Sequence, residues 1–428
     1  MGVSAMRDRA DLAWIGYLLF FDMLALPTTY YVIKTSLLVA ALVVVLMETV
    51  AQGRLRLHHT VVLWTLAMAL CGIGWVALGF VRNTPGALAM VNVYVIWPLV
   101  FLLFAGGVSR LTVIDGLLRV IAVTAIAISV YTLLFVLHTL HVLPSWAYVN
   151  LDLGQGVGFY SGYVELRLYS LSSLLFLVPF CVAALMLWPR REPAPVSRLL
   201  LWLGALLGTL VVLISGRRGL ILVFAVAPLL VVLLRRATAG PAAREGARLS
   251  RRALLAGAVG LVGVAVVLNL LGAFQWASFW RMFTQGFQFQ RSVSSLVRRR
   301  QMIALLSGWA EHPLFGAGTG AQAYGWQSSQ DMPWTYEMIY VSMLFHAGVV
   351  GLAVYTAGIA WIVLTGIKVV REAGPMAMRI GPVLIGMACF LIASGTNPYL
   401  EKFDYIWVIF LPVAMINTWL LSRPPAAA

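Results

Sequence analysis

The stretch LLLWLGALLGTLVVLISGRRGLILVFAVAPLLVVLL, residues 199–234, decides the fold class. Two apolar runs, each near the length that crosses the hydrocarbon core of a bilayer, are joined by SGRRGL at 215–220. Backbone polar groups in lipid must be satisfied within the spanning segment, so continuous apolar runs predict helices, whereas barrel strands would alternate in polarity. The same pattern recurs along the chain, for instance as LLAGAVGLVGVAVVLNLLGAF at 254–274. Hydrophobic residues make up 61% of the 428 and charged residues 11%, which excludes an ordinary water-soluble domain. The expected fold is therefore an all-α polytopic membrane protein, residues 1–428 forming a single integral membrane domain. About twelve spans are expected, near 12–30, 34–50, 61–80, 87–108, 117–139, 168–188, 199–214, 219–234, 253–273, 338–365, 380–395 and 404–421. The first run lacks a small-residue cleavage site and reads as a retained helix.

Loop charge orients these spans. PRREPAPVSR at 189–198 and RRATAGPAAREGARLSRR at 235–252 are short and arginine-rich, which predicts a cytoplasmic location for both and for both termini. The net charge of +15 is then mostly the usual inner-side excess, in contact with anionic membrane lipid, and requires no nucleic-acid partner. Cys71, Cys181 and Cys389 lie in apolar runs without CxxC or Cys/His pairing, so they indicate neither a disulfide framework nor a zinc site.

With that orientation SGRRGL is an outward turn, and Arg217 and Arg218 work against the insertion bias. So do Arg281, Arg291, Arg298, Arg299 and Arg300 in the external loop expected at about 275–337, which also holds HPLFGAGTGAQAYGW at 312–326. A second external loop, about 141–167, is rich in Trp, Tyr and Gly. Its aromatic residues read either as interfacial anchors or as sugar-stacking platforms. Guanidinium groups at a membrane-level turn suit phosphate oxygens in charge and in geometry. No D-x-D pair occurs in the sequence, so arginines, without a metal or other cofactor, are the expected counter-charge for a phosphate-bearing ligand.

Three ordered motifs carry a family resemblance over about 200–421. SGRRG resembles the S-x-S-R-G turn of the O-antigen ligase and Wzy-type O-antigen polymerase superfamily, and HPLFGAGTG resembles its HP-L-x-G-x-G signature. YEMIYVSMLFHAGVVGLAVY, at 336–355, resembles the helix that in these proteins usually begins with His-Asn. The resemblance implies a metal-independent glycosyltransferase of the bacterial inner membrane with its active site facing the periplasm. The donor it implies is a glycan linked to undecaprenyl diphosphate. The acceptor it implies is another lipid-linked glycan for a polymerase, with a chain-length regulator protein as a further partner, or the lipid A core for a ligase.

Matched to these motifs, Arg218, Arg217, Arg291 and Arg298 are the expected diphosphate and donor ligands, and Glu337 is the expected base. Glu337 stands where the ligases usually carry histidine, which favours the polymerase. It reads alternatively as an acid placed at a helix N-terminus by the dipole. His346, nine residues on, reads as a core histidine or a second candidate base, and Arg300 and Tyr336 are further candidates. The triplet at 298–300 reads alternatively as a solvated helix end, and His312 and Pro313 as structural residues of a tight glycine loop. A transporter would instead show ionisable groups deep in the spans and inverted repeats; Asp22 is the main buried charge expected and no repeat is evident.

Overall fold

A computed structural model describes residues 3–160, 163–189, 193–238, 293–326 and 330–423. The helices, in chain order, are α1 (Val3–Ala25), α2 (Tyr31–Gln52), α3 (His59–Val81), α4 (Ala87–Gly107), α5 (Leu111–Thr139), α6 (Leu174–Leu187), α7 (Arg198–Ile214), α8 (Arg218–Thr238), α9 (Val293–Glu311), α10 (Ile339–Arg371), α11 (Pro375–Ser394) and α12 (Phe403–Leu421). Eight of these, α2 to α5, α8 and α10 to α12, are long and apolar enough to cross a membrane. Ala13–Ala25, Leu174–Leu187 and Arg198–Ile214 are shorter apolar helices at three other expected spans. The span expected at 253–273 lies outside the described residues, as do 275–292 of the long loop. The protein is thus helical and membrane-embedded. Exposed Val32, Val50, Leu63, Leu88 and Leu199 fit a surface solvated by lipid rather than water.

The chain divides into two compact units. Unit 1 comprises Met1–Val44, Leu111–Phe287 and Ile367–Phe390. Within it α5 packs on α1 and α7, and α6 packs on α7 and α8. Small residues set the approach: a Cβ added at Gly208 would lie 2.5 Å from Val178 Cγ2, and one at Gly204 would lie 3.0 Å from Cys181 Sγ. Hydroxyls buried in α5 bond back to their own helix, Thr124 to Val120 O and Ser129 to Ala125 O, each at 2.7 Å, so they cost little in lipid. Asp22 is buried as expected, and so is Lys34, whose Nζ donates to Leu26 O at 3.0 Å. Lys34 is a buried charge that hydropathy alone passes over.

One end of unit 1 is closed by a group of arginines. Arg379 grips Asp115 with Nε and Nη2 at 2.6 and 2.7 Å, Arg119 Nε donates to Pro195 O, Arg371 to Ala237 O, and Arg235 to Met186 O. The last two close carbonyls near helix C-termini, where positive charge is favoured by the dipole. α7 leaves this end and α8 returns to it, so the turn between them is at the opposite end.

Unit 2 comprises Val45–Arg110, Gln288–Gly366 and Leu391–Ala428. Its core stacks Trp64 on Trp361 at 5.4 Å and Phe101 on Phe410 at 5.5 Å between ring centroids. Asn417 ties the far end of α12 to the α2–α3 loop by accepting from His58 N at 2.8 Å and donating to Arg56 O at 2.9 Å. α4 contains one π-helical turn, Asn92–Ile96. At the other end of this unit, Tyr340 Oη donates to Leu391 O at 2.5 Å, which fixes the end of α11 beside the start of α10.

Candidate functional site

In unit 1 the SGRRGL turn is built onto a β-hairpin that apolar periodicity did not predict. Strands β1 (Gly156–Tyr160) and β2 (Tyr163–Arg167) pair antiparallel within the expected external loop 141–167. Leu166 N donates to Ser215 O at 2.9 Å, and Arg217 Nε donates to Leu166 O at 3.0 Å. The Ser215 hydroxyl accepts from Arg217 N at 3.2 Å and so holds the turn. Gly216 has φ +65°, and a Cβ there would sit 2.0 Å from Val164 O, so the passing strand leaves room only for glycine. Arg217 is therefore partly a structural residue, a role the sequence did not disclose. Arg218, half-buried, is the first residue of α8. Two guanidinium groups at the positive end of a helix dipole oppose the dipole, and an anion relieves that opposition.

In unit 2 the other two motifs are one structure. α10 breaks at Gly348, whose φ of 66° and ψ of −171° are not helical. The backbone groups released there are taken up by the HPLFGAGTG loop. Ala317 N donates to Phe345 O at 2.8 Å and Gly318 N to His346 O at 3.0 Å. In return Val349 N donates to Pro313 O at 3.0 Å and Val350 N to Leu314 O at 3.1 Å. The loop's outer carbonyls are held by Trp75 Nε1 on Phe315 O, Arg82 Nη1 on Gly316 O at 2.6 Å and Thr84 Oγ1 on Thr319 O at 2.7 Å. Broken helices persist in membranes only where such partners exist. His312 and Pro313 accordingly belong to a structural loop, as expected.

This docking explains the glycines and yields a prediction. A Cβ at Gly348 would meet Leu314 O at 2.2 Å and one at Gly316 would meet the His346 carbonyl carbon at 2.4 Å, both at positive φ. Gly348→Ala or Gly316→Ala should each cost about 1–3 kcal/mol or more, read as a lowered Tm in detergent. Gly74→Ala, a helical position with nothing within 4 Å, should leave the Tm unchanged or raise it. Equal melting of all three proteins would contradict the docked loop.

Just before α10, Glu337 Oε2 accepts from Arg298 Nε at 3.0 Å, the arginine projecting from α9. Their side chains are 46% and 40% exposed, so the pair contributes at most about 1 kcal/mol to stability, and its main effect is to orient the carboxylate. Gln301, one turn along α9, accepts from Met338 N at 3.1 Å and fixes the same segment. Arg299 and Arg300 are exposed on α9, consistent with a solvated helix face. Arg291 lies outside the described residues.

Tyr336 and His346 are buried, each 1% exposed, with ring centroids 5.7 Å apart. Tyr336 Oη accepts from Ala323 N at 2.7 Å and donates to Ala321 O at 3.2 Å. Burial, reinforced by the charge of Glu401 and offset in part by the Ala323 bond, pushes its phenol up to about 12. His346 Nε2 lies 3.0 Å from the same Ala321 carbonyl and Nδ1 lies 3.3 Å from Ser342 Oγ. Both thus brace the loop, the core reading of His346 among the two the sequence offered.

The structure therefore brings Glu337 together with Arg298, and Tyr336 with His346, all in unit 2; Arg217 and Arg218 belong to unit 1. Sequence reasoning missed Arg82 and Glu401. Arg82 had a usable signal, being an arginine in the short 81–86 loop on the expected external side. Glu401 follows the NPYL turn, and nothing in the sequence distinguishes it from an ordinary loop carboxylate. The chain matches no protein-family model and no curated protein sequence.

Proposed function

We propose that this protein is a glycosyltransferase of the bacterial inner membrane that polymerises a surface polysaccharide. It takes a glycan from undecaprenyl diphosphate and passes it to a hydroxyl of another lipid-linked repeat unit on the periplasmic side. The observation that carries the reading is the pair Arg217 and Arg218 at the positive end of α8, at the end of unit 1 away from its basic carbonyl-closing arginines. Both termini are assigned to the cytoplasm by the same charge asymmetry.

The chemistry follows from the groups available. The acceptor oxygen attacks C1 of the donor's reducing-end sugar, the C1–O bond to phosphorus breaks, and its electron pair leaves on the diphosphate. Arg218, with Arg217 beside it, offsets the growing negative charge, and does so more effectively at a bilayer edge than in bulk water. The acceptor proton passes to Glu337, which Arg298 holds in place. Glutamate in place of the ligases' histidine favours the polymerase; the ligase, with the lipid A core as acceptor, is the second reading. A transporter is disfavoured because the backbone freed at Gly348 is occupied by the protein's own loop rather than offered to a substrate or ion.

A product assay tests this. Purified protein given the lipid-linked repeat unit in EDTA should form a ladder of longer lipid-linked glycans, because arginines supply the charge that Mg²⁺ supplies elsewhere. Transfer only when lipid A core is added would establish the ligase. Activity lost on chelation and restored by Mg²⁺ or Mn²⁺ would overturn the metal-independent mechanism.

A further inference from the structure

At the end of unit 2 where Asn417 holds the α2–α3 loop, a shallow cleft opens between α2, that loop and the α4–α5 loop. Glu48, Gln52, Arg54, Arg56, Ser109 and Arg110 line it. Close packing sets its walls. Leu55 turns inward against α4, where a Cβ added at Gly106 would lie 2.8 Å from Leu55 Cδ1, and one at Gly107 would lie 2.9 Å from Val45 Cγ2. Arg54 and Arg56, on either side of Leu55, stay exposed, and the Arg56 carbonyl is held by Asn417 Nδ2 at 2.9 Å. Arg110 Nη2 lies 3.5 Å from Glu48 Oε2, with side chains 27% and 22% exposed, so charge there is screened less than on an open face. In the last two turns of α2, Leu46, Met47 and Val50 are exposed, which brings lipid to the level of the cleft.

Part of this positive charge is answered within the protein. Gln52 ends α2 and Gly107 ends α4, and each helix C-terminus carries about half a negative charge, which acts on the arginines together with Glu48. Three arginines set against one carboxylate and two such termini leave roughly one positive charge unanswered. A phosphodiester carries one negative charge, and its oxygens suit the guanidinium fork. A free phosphate dianion exceeds that spare charge. The cleft is too shallow to enclose a nucleotide or a small metabolite, whereas a ligand already held in the bilayer needs only a surface to meet its headgroup. This end of unit 2 is also the one that loop charge assigns to the cytoplasm, where the facing leaflet is anionic. We propose that Arg54, Arg56 and Arg110 form a site for the phosphodiester of one anionic phospholipid, distinct from the diffuse attraction that any basic loop exerts. The site stands independently of the transferase reading.

Native mass spectrometry of the full-length protein, released from mixed micelles of phosphatidylglycerol and phosphatidylcholine, provides the test. The unmutated protein should retain one phosphatidylglycerol in preference to phosphatidylcholine. Arg54→Gln combined with Arg56→Gln should weaken that adduct roughly tenfold, with the melting temperature near wild type because both side chains are exposed. Arg236→Gln combined with Arg423→Gln removes two exposed cations elsewhere on the side expected to be cytoplasmic and should leave the adduct unchanged, which separates a site from net charge. Glu48→Gln, which removes the competing carboxylate, should tighten it. Inorganic phosphate in large excess should not displace the lipid. Wild-type retention without Arg54 and Arg56, an equal loss without Arg236 and Arg423, or displacement by inorganic phosphate would each overturn the lipid site. If the Arg54 and Arg56 variant does not fold, Glu48→Gln decides, and unchanged or weaker retention there overturns it.

Discussion

Arg218→Ala abolishes glycan transfer while the protein remains folded and inserted: this is the largest effect expected of any single arginine. Removing one group aimed at developing charge typically costs about 10² to 10³ in rate, and a leaving diphosphate concentrates more charge than a tetrahedral oxyanion. Folding should survive, because alanine at the first position of α8 is helix-compatible and removes a cation from the positive end of the dipole. Arg218→Lys should recover part of the rate by keeping the charge while losing the planar fork. Arg217→Ala should be milder in rate but should loosen the hairpin, since Arg217 Nε bonds Leu166 O. Wild-type polymer yield from Arg218→Ala, at normal protein abundance and melting temperature, would sink the assignment.

Glu337→Gln should lose about 10² to 10⁴ in turnover and still bind the lipid-linked donor. The amide retains the shape and the contact with Arg298 but not the basicity. Glu337→His should restore part of the rate if the role is proton removal. His346→Ala should act differently, lowering stability by leaving Ala321 O with the Tyr336 hydroxyl alone and Ser342 Oγ without the imidazole, while leaving the turnover of folded protein largely intact. Normal turnover by Glu337→Gln together with a dead, folded His346→Ala would show that the base lies in the core of α10 instead.

The helices were legible because lipid leaves one physical solution for an apolar run of such length: eight described helices long and apolar enough to cross a membrane fall on expected spans, and three shorter apolar helices fall on three more. What stayed hidden was structure made by backbone rather than by side-chain polarity. The β1–β2 hairpin lies in a segment of mixed glycine and aromatic residues with no clean alternation, and it is held by Arg217 through a bond that no local pattern encodes. The break at Gly348 was invisible for a similar reason. AGVVG, at 347–351, is apolar throughout, and only the loop arriving from 312–320 makes a non-helical glycine tolerable there. Among candidate residues, the pairing of Arg298 with Glu337 joins positions 39 apart in sequence, and spacing alone gave each a role without joining them. Glu401 carried no sequence signal because its carboxyl is pushed up to about 8 by burial.

The central claim is that the C1–O bond to the lipid diphosphate is broken by this chain. Its most direct test is to reconstitute the purified protein in liposomes with undecaprenyl-diphosphate-linked repeat unit and to measure both lipid and glycan products by mass. The account predicts one free undecaprenyl diphosphate for each repeat unit added to a growing lipid-linked glycan, with no release in Arg218→Ala. Lipid-linked units recovered intact, with no free diphosphate while the protein demonstrably binds them or moves them across the bilayer, would contradict it.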